Sequence, residues 1–289
     1  MKFVSFERAE TASYGVVKHD RIIDLGTRTE SADLKSFIAT DDWRAQAERA
    51  LAASDGDIAL ADVDLVAVIP NPGKILCVAL NYHDHVAEAN AHLPGGREVP
   101  KYPMIFARMA ESMTGHDTNL VRPKVSQDFD YEAELLVVIG SDVPRHVSPE
   151  EALPYVFGYS AVNEGSIRDY QFHTRQLTPG KNFYRTGGTG PWLVTADEIP
   201  DPQALDIIFR LNGETLQRAN TNDMIFPVGK LISYISEWLP LKAGDMIASG
   251  TMGGVGFTRK PPIFMKPGDR AEVEITGIGT LVNGIVDEA

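Results

Sequence analysis

Alternating apolar and polar positions in the first seventy residues predict short strands. Apolar side chains recur at every second position, which is typical of strands with one buried face. The stretch from Val17 to Ile23 predicts a hairpin, and a helix is expected from Asp41 to Ala53 with Asp41 as its cap. The predicted strands are Met1–Phe6, Ser13–Lys18 and Arg21–Leu25. Residues 1–70 are therefore expected to form a small N-terminal α+β domain.

A segment rich in proline and glycine, Ile69-Pro-Asn-Pro-Gly, separates this unit from the rest of the chain. Such a segment cannot continue a helix or a central strand, so a second domain is expected over residues 71–289, with its first element starting at Lys74. Many short apolar runs between turns favour mixed β structure over a doubly wound sheet. The predicted helical segments are Asn81–Asn90, Val147–Leu153, Ile167–Gln176 and Met224–Trp238.

The net charge of −13 over 289 residues argues against nucleic acid or anionic lipid as a partner. No apolar run approaches the roughly 18 residues that would span a bilayer, and the first residues lack the apolar core of a signal peptide. We therefore expect a cytoplasmic protein with no membrane partner. The single cysteine, Cys77, excludes an intrachain disulfide framework and a cysteine-rich zinc site. Its apolar neighbours predict a core position rather than a nucleophile.

Two acidic residues stand two positions apart on the apolar run Asp130-Tyr-Glu-Ala-Glu-Leu-Leu-Val-Val-Ile-Gly. In a strand, Glu132 and Glu134 would point to the same face. A third acid, Glu164, follows the next apolar segment. Because Mg²⁺ and Mn²⁺ prefer carboxylate oxygens, the pattern predicts an oxygen-only metal site. The pair alone is equally compatible with an exposed strand.

A histidine and several cations could act beside such a site. His85 and Glu88 are three positions apart, so on a helix the carboxylate could orient the imidazole as a general base. Arg168 lies one helical turn after Glu164, and Lys181 lies in a glycine-containing turn where it could stabilise an oxyanion. Each of these residues, taken singly, is also common on protein surfaces.

Two glycine-rich segments, residues 186–190 and 250–256, do not have the spacing of a phosphate-binding loop or of a dinucleotide fingerprint. We interpret both as turns, although the Thr251 hydroxyl and nearby amides could bind a carboxylate. The pattern Gly-x-Ser-x-Gly is absent from the sequence, which disfavours a serine nucleophile and a covalent acyl-enzyme.

Seven ordered motifs resemble those of the fumarylacetoacetate hydrolase family. They are Asn81-Tyr-x-x-His-Val-x-Glu, Asp130-Tyr-Glu-Ala-Glu-Leu, Asn163-Glu-Gly-Ser-Ile-Arg-Asp-Tyr-Gln, Gly180-Lys-Asn-Phe, Thr221-Asn-Asp-Met-Ile-Phe, Gly244-Asp-Met-Ile-Ala-Ser-Gly-Thr and Gly277-Ile-Gly-Thr-Leu-x-Asn. The resemblance covers residues 74–287. It implies a predominantly β, α+β fold, with a mixed β-sandwich roll as the C-terminal domain and a small N-terminal domain. It also implies a homodimer, one Mg²⁺ or Mn²⁺ ion per subunit, and a small anionic 2-oxo acid as substrate.

The resemblance assigns roles to nine residues. It implies metal ligation by Glu132, Glu134 and Glu164, and catalysis by His85 and Glu88, on a lid spanning residues 83–92, together with Lys181. It implies substrate contacts from Arg168, Gln171 and Thr251. Tyr82 and Arg108 are further candidates for substrate contacts.

Three positions depart from the family pattern. Glu164 stands where the third ligand is usually Asp, which lengthens the arm by one methylene. Arg108-Met109 replaces Lys-Pro, and Thr251-Met252 replaces Thr-Pro. These departures bear on the metal and the substrate more than on the fold.

The expected activity is metal-dependent cleavage of a carbon–carbon bond in an acylpyruvate, a 2,4-dioxo acid such as fumarylpyruvate or maleylpyruvate. The same ligands would serve an oxaloacetate decarboxylase or a 2-oxo acid isomerase or hydratase, and a non-catalytic binding protein could retain the fold. Arg108, Arg175 and Arg185 are candidate cations for a distal carboxylate, which favours a dicarboxylate substrate.

Overall fold

The computed structural model describes residues 1–92 and 98–289, and two main β-sheets organise this part of the chain. A third, two-stranded sheet pairs Phe129–Asp130 with Ser166–Ile167. Strands predominate and the large sheet is mixed, which confirms the predicted fold class. Among the described residues, no helix is both long and apolar enough to cross a membrane.

The strands alternate with short turns along most of the chain. Their bounds are β1 Lys2–Arg8, β2 Thr11–Lys18, β3 Arg21–Asp24, β4 Ile58–Ala59, β5 Asp64–Leu65, β6 Ile75–Ala79, β7 Met104–Arg108, β8 Met113–Thr114, β9 Leu120–Arg122, β10 Phe129–Asp130, β11 Ala133–Ile139, β12 Val156–Asn163, β13 Ser166–Ile167, β14 Gly187–Thr195, β15 Asp206–Leu211, β16 Glu214–Asn220, β17 Met246–Ala248, β18 Arg270–Ile275 and β19 Gly279–Asp287. The helices are α1 Leu34–Ile38, α2 Trp43–Ala53, α3 His83–His92, α4 Arg168–Phe172, α5 Thr178–Lys181 and α6 Val228–Ser236.

The large sheet has the order β4-β3-β2-β1-β14-β12-β11-β17-β6-β7, with β5 beside β1 and β8 beside β14. The second sheet has the order β16-β15-β18-β19-β9. The two sheets share one hydrophobic core, in which Leu135 of β11 belongs to the same cluster as Phe209 of β15 and Val273 of β18. β11 and β12 are buried along their whole length. Residues at their ends are therefore held by packing on both faces.

The predicted N-terminal strands and hairpin are present, with Lys18 paired to Arg21. β1 continues into the large sheet, because Phe3 pairs with Leu193 of β14. Phe3 and Phe37 share a core cluster with Phe157 of β12. The division of the chain into domains at residue 70 stays a prediction.

Two helix predictions from the sequence are wrong in detail. The segment Val147–Leu153 forms short 3₁₀ turns at Pro149–Glu151 and Leu153–Tyr155 instead of an α-helix, because proline lacks the amide that an α-helix interior needs. Asp41 does not cap α2, which starts after Asp42 and has no side-chain cap. Cys77 is fully buried in β6, as predicted.

Candidate metal and substrate site

Three buried carboxylates converge at the ends of two neighbouring strands. Glu132 precedes β11, Glu134 lies within it, and Glu164 follows β12. The backbone amide of Glu164 donates a 2.8 Å hydrogen bond to the carbonyl of Glu132, which fixes the two segments against each other. One oxygen from each of the three side chains lies within 4.8 Å of the others. The spacing of two along β11 thus gives the shared face that the sequence predicts.

The electrostatics of this cluster fit a divalent cation. Glu164 Oε1 is buried and has no hydrogen-bond partner among the described residues. Burial, followed by repulsion from Glu164 and Glu132, raises the pKa of Glu134 well above its usual range. The negative charge is thus incompletely compensated within the protein, and an oxygen-only ligand set suits Mg²⁺ or Mn²⁺. Glu132, Glu134 and Glu164 are the residues that would hold the ion.

Two buried cations border the carboxylates. Lys181 Nζ lies 2.6 Å from Glu132 Oε2 and 3.1 Å from Glu164 Oε2. Arg168 Nη1 lies 2.7 Å from Glu132 Oε1. Burial alone would raise the pKa of Glu132, but Lys181 and Arg168 outweigh it and lower that pKa to about 2. Arg168 therefore lies beside the metal-type carboxylates and pairs directly with Glu132.

Arg168 also pairs with Asp130, a residue that is not predicted from the sequence to belong to the site. The Nε of Arg168 donates a 2.7 Å hydrogen bond to Asp130 Oδ2, and the amide of Gly256 donates to Asp130 Oδ1. Gln171 accepts a 2.7 Å bond from Nη1. Nη2 is buried without a hydrogen-bond partner among the described residues. Asp130 lies two positions before Glu132 in the same motif, and this spacing is the signal that could have identified it.

His85 and Glu88 lie together on α3. His85 Nδ1 is 3.3 Å from Glu88 Oε2. Glu88 Oε1 accepts hydrogen bonds from the amide of Gly254 at 3.0 Å and from the hydroxyl of Thr258 at 2.6 Å. Burial works to raise the pKa of Glu88, but the bonds from His85, Thr258 and Gly254 outweigh it and lower the pKa. The carboxylate therefore stays ionised beside the imidazole.

A cavity of about 410 Å³ joins these groups, which is within the usual size of a ligand site. Buried acids and cations form its inner end, and exposed residues of the segment between α4 and α5 form its outer end. Leu80 in its wall has a left-handed backbone with φ of 55°, a strained conformation typical of functional sites. The lining residues are Val78, Ala79, Leu80, His85, Ala89, Met104, Phe106, Glu132, Glu134, Glu164, Arg168, Gln171, Phe172, Thr174, Arg175, Leu177, Lys181, Thr251 and Phe257.

Two residues predicted to contact substrate do not line the cavity. Tyr82 is fully buried in the hydrophobic core. Arg108 is buried behind Glu164, with Nη1 at 3.9 Å from Glu164 Oε1, and it donates hydrogen bonds to Gly165 and Thr186. Both side chains are enclosed by long-range packing that the local sequence does not encode.

Of the remaining predicted residues, Gln171 and Thr251 line the cavity. Thr251 also accepts a hydrogen bond from Gln217 and donates one to the carbonyl of Ala133. Arg185 is exposed outside the cavity, with its guanidinium 5.3 Å from the ring of Tyr184. Among the three candidate distal cations, Arg175 alone lines the cavity.

Comparison with known proteins places these features in a family context. A family model of the fumarylacetoacetate hydrolase C-terminal region matches residues 74–286. A mitochondrial oxaloacetate tautomerase of Homo sapiens is 39% identical over 242 residues, covering 83% of this chain and 75% of the relative. A fumarylacetoacetate hydrolase from Exiguobacterium antarcticum superimposes with a TM-score of 0.80 at 31% identity over 100% of both chains. The maleylpyruvate hydrolase from Sphingobium sp. SYK-6, in complex with manganese(II) ion and pyruvate, gives a TM-score of 0.81 at 28% identity, again over 100% of both chains.

Proposed function

Since the chain belongs to the fumarylacetoacetate hydrolase family, we propose that it is a metal-dependent enzyme that hydrolyses the carbon–carbon bond of an acylpyruvate. The products are pyruvate and a carboxylic acid. The observation that carries this proposal is the composition of one cavity, in which His85 faces the same space as the three carboxylates, Arg168 and Lys181. A structure in the same family with manganese and pyruvate bound supports the choice of a pyruvoyl substrate.

The inner end of the cavity has the groups needed to hold a 2-oxo acid. Glu132, Glu134 and Glu164 would hold a Mg²⁺ or Mn²⁺ ion, which would supply Lewis-acid polarisation of substrate oxygens. Arg168 Nη2, buried without a partner among the described residues, can donate to the substrate carboxylate. Lys181 has three N–H donors, of which two serve Glu132 and Glu164. The third remains for an oxygen of the substrate.

His85 is the candidate general base. With Nδ1–H donated to Glu88, Nε2 is an acceptor that can take a proton from water. The resulting hydroxide forms a bond to the C4 carbonyl carbon, and Lys181 stabilises the oxyanion that develops there. The C3–C4 bond then breaks with its electron pair moving to C3, C3 takes a proton, and the acyl part leaves as a carboxylic acid. No oxidant or further reactant is required.

A second candidate function is oxaloacetate tautomerisation, because relatives of 36–39% identity carry that name. Exchange of a proton between C3 and the enol oxygen needs cations that hold the substrate carboxylate and one acid–base residue. The cavity contains both.

A turnover panel tests the proposal. The protein, reconstituted with Mg²⁺ or Mn²⁺, is offered fumarylpyruvate, maleylpyruvate, acetylpyruvate and oxaloacetate, and pyruvate, CO₂ and the enol absorbance of oxaloacetate are followed separately. Pyruvate with the matching acid and no CO₂ supports the hydrolase. Loss of enol absorbance with the acylpyruvates inert would establish the tautomerase, and CO₂ release would establish a decarboxylase.

The assembly and location of the protein stay predictions. A homodimer is expected from the family resemblance, and light scattering would test it. The cytoplasmic location and the absence of nucleic acid or membrane partners are expected from the sequence, and fractionation of cells would test the location.

A further inference from the structure

We propose that Arg175 forms a distal carboxylate subsite, which makes the cavity selective for 2-oxo dicarboxylic acids longer than four carbons. The inference rests on the proposed function in that the 2-oxo end of the substrate is held at the buried carboxylate cluster. It adds a specificity-determining residue at the opposite, outer end.

The charge distribution in the cavity singles out this residue. The inner cations Arg168 and Lys181 are both ion-paired with buried carboxylates. Arg175 has no ion pair with any residue that the structure describes. A guanidinium lining a ligand cavity without an internal counter-charge is suited to bind a carboxylate in bidentate fashion.

Arg175 lies on a segment whose two flanking helices each contribute a buried cation to the inner site. The segment runs between α4 and α5, and each helix is anchored inward, α4 through Arg168 and α5 through Lys181. The two helices pack closely, since a Cβ on Gly180 would lie 2.5 Å from the amide nitrogen of Gln171. The segment is therefore tied down at both ends, and Arg175 is exposed at the outer end of the cavity.

The wall between the two ends is largely apolar. Its side chains include Ala89, Met104, Phe106, Phe172 and Leu177. Such a lining matches the hydrocarbon part of a substrate and leaves polar recognition to the two ends. A four-carbon acid bound at the inner end has no such part, so Arg175 would contribute little to its binding.

The other two candidate cations are excluded by position. Arg108 is buried behind Glu164, and Arg185 is exposed outside the lining. Arg185 lies ten positions further along the same region and has the same charge. It is therefore a matched control for the loss of one exposed arginine.

The test compares two probes of equal chain length, 2-oxoadipate and 2-oxohexanoate, which differ only in the distal carboxylate. Binding to the Mn²⁺-loaded protein is measured by calorimetry for the wild type, Arg175→Gln and Arg185→Gln. We expect the wild type to bind 2-oxoadipate about 10-fold more tightly than 2-oxohexanoate, the effect of one partly exposed charge-assisted contact. Arg175→Gln should bring the two Kd values within about twofold of each other, and Arg185→Gln should keep the wild-type ratio.

Equal affinities in the wild type, a preference that survives Arg175→Gln, or no binding of either acid would overturn the subsite. The proposed reaction fails by a different result, namely no pyruvate from any acylpyruvate. A protein that keeps the Arg175-dependent preference but releases no pyruvate would retain the subsite and lose the hydrolase assignment.

Discussion

Thr258 Oγ1 lies 2.6 Å from Glu88 Oε1, although the two residues are 170 positions apart in the chain. The same hydroxyl is 2.8 Å from the carbonyl of Val255. It has a single proton, which it donates to the Glu88 carboxylate because an ionised carboxylate is a stronger acceptor than a carbonyl. Because Glu88 also contacts His85, the loop that contains Thr258 fixes the orientation of the imidazole. Thr258 is thus a positioning residue that acts through Glu88.

Replacing Thr258 should weaken catalysis, although Thr258 itself does not contact the substrate. Thr258→Val keeps the shape but removes the donor to Glu88, and we expect kcat to fall by about 10-fold, the effect of one charge-assisted hydrogen bond. The change should fall on kcat rather than on KM, because the residue does not line the cavity. Steady-state kinetics over a pH series would measure it. Thr258→Ser restores the hydroxyl and should restore kcat, and an equal loss in both variants would refute the positioning role.

His85 should be required for turnover but not for metal binding. Its imidazole pairs with Glu88, and His85 is outside the group of three carboxylates that could hold the ion. We expect His85→Gln to lower kcat by about 10²-fold or more, as for the loss of a general base, while calorimetric Mn²⁺ affinity is retained. His83, exposed on the same helix, provides the control variant His83→Gln. Full activity of His85→Gln would exclude the general-base role.

Removing one carboxylate should weaken the metal site directly. Glu164→Gln leaves two charged ligands, and we expect Mn²⁺ affinity to fall by about 10-fold or more, since ligand charge sets affinity. The rise in melting temperature that Mn²⁺ gives the wild type should shrink accordingly. Glu214→Gln removes an exposed carboxylate on β16 and should change neither quantity. Unaltered Mn²⁺ binding by Glu164→Gln would exclude Glu164 as a ligand.

Asp197 should contribute a pH-dependent increment of stability. Hydrogen bonds from Arg44 and then Thr195 lower the pKa of Asp197 to about 2. Because the folded pKa is below the unfolded value near 3.8, the stabilisation is present above pH 3.8 and is lost as the pH falls toward 2. Both partners are about half exposed, so we expect Asp197→Asn to lower the free energy of unfolding by less than about 1 kcal/mol.

Urea unfolding at about pH 6 and about pH 3 would measure this increment. The difference between wild type and Asp197→Asn should be smaller at the lower pH. Arg44→Gln should give a similar loss, and the double variant should lose little more than either single variant. Additive losses would show that the pair does not interact.

The sequence predicts those parts of the site that depend on local periodicity. Glu132 and Glu134 converge because side chains two apart on a strand share a face, and His85 and Glu88 meet because residues three apart on a helix are neighbours. Glu164 follows an apolar strand that pairs directly with β11. For the first two pairs, closeness along the chain is also closeness in space, whereas Glu164 reaches the cluster through the pairing of β11 with β12.

The remaining features depend on packing between distant segments. Thr258 and Gly254 reach Glu88 across the fold, and no periodicity links them. Tyr82 and Arg108 are enclosed by the core, which the polar character of their side chains does not reveal. Burial and long-range hydrogen bonds are properties of the assembled sheets, so they become visible only in the structure.

The pairing of β1 with β14 has a consequence for shortened forms of the protein. Lys2 and Phe3 pair with Val194 and Leu193, and the ring of Phe3 lies 5.5 Å from that of Phe157. A chain trimmed to residues 74–286 would leave the edge of β14 at Leu193 and Val194 without its partner strand, and such bare strand edges promote aggregation between molecules. In the intact chain, β1 thus covers this strand edge and packs its apolar side chains against those of β12 and β14. A shortened form of this protein would need a substitute strand at that position.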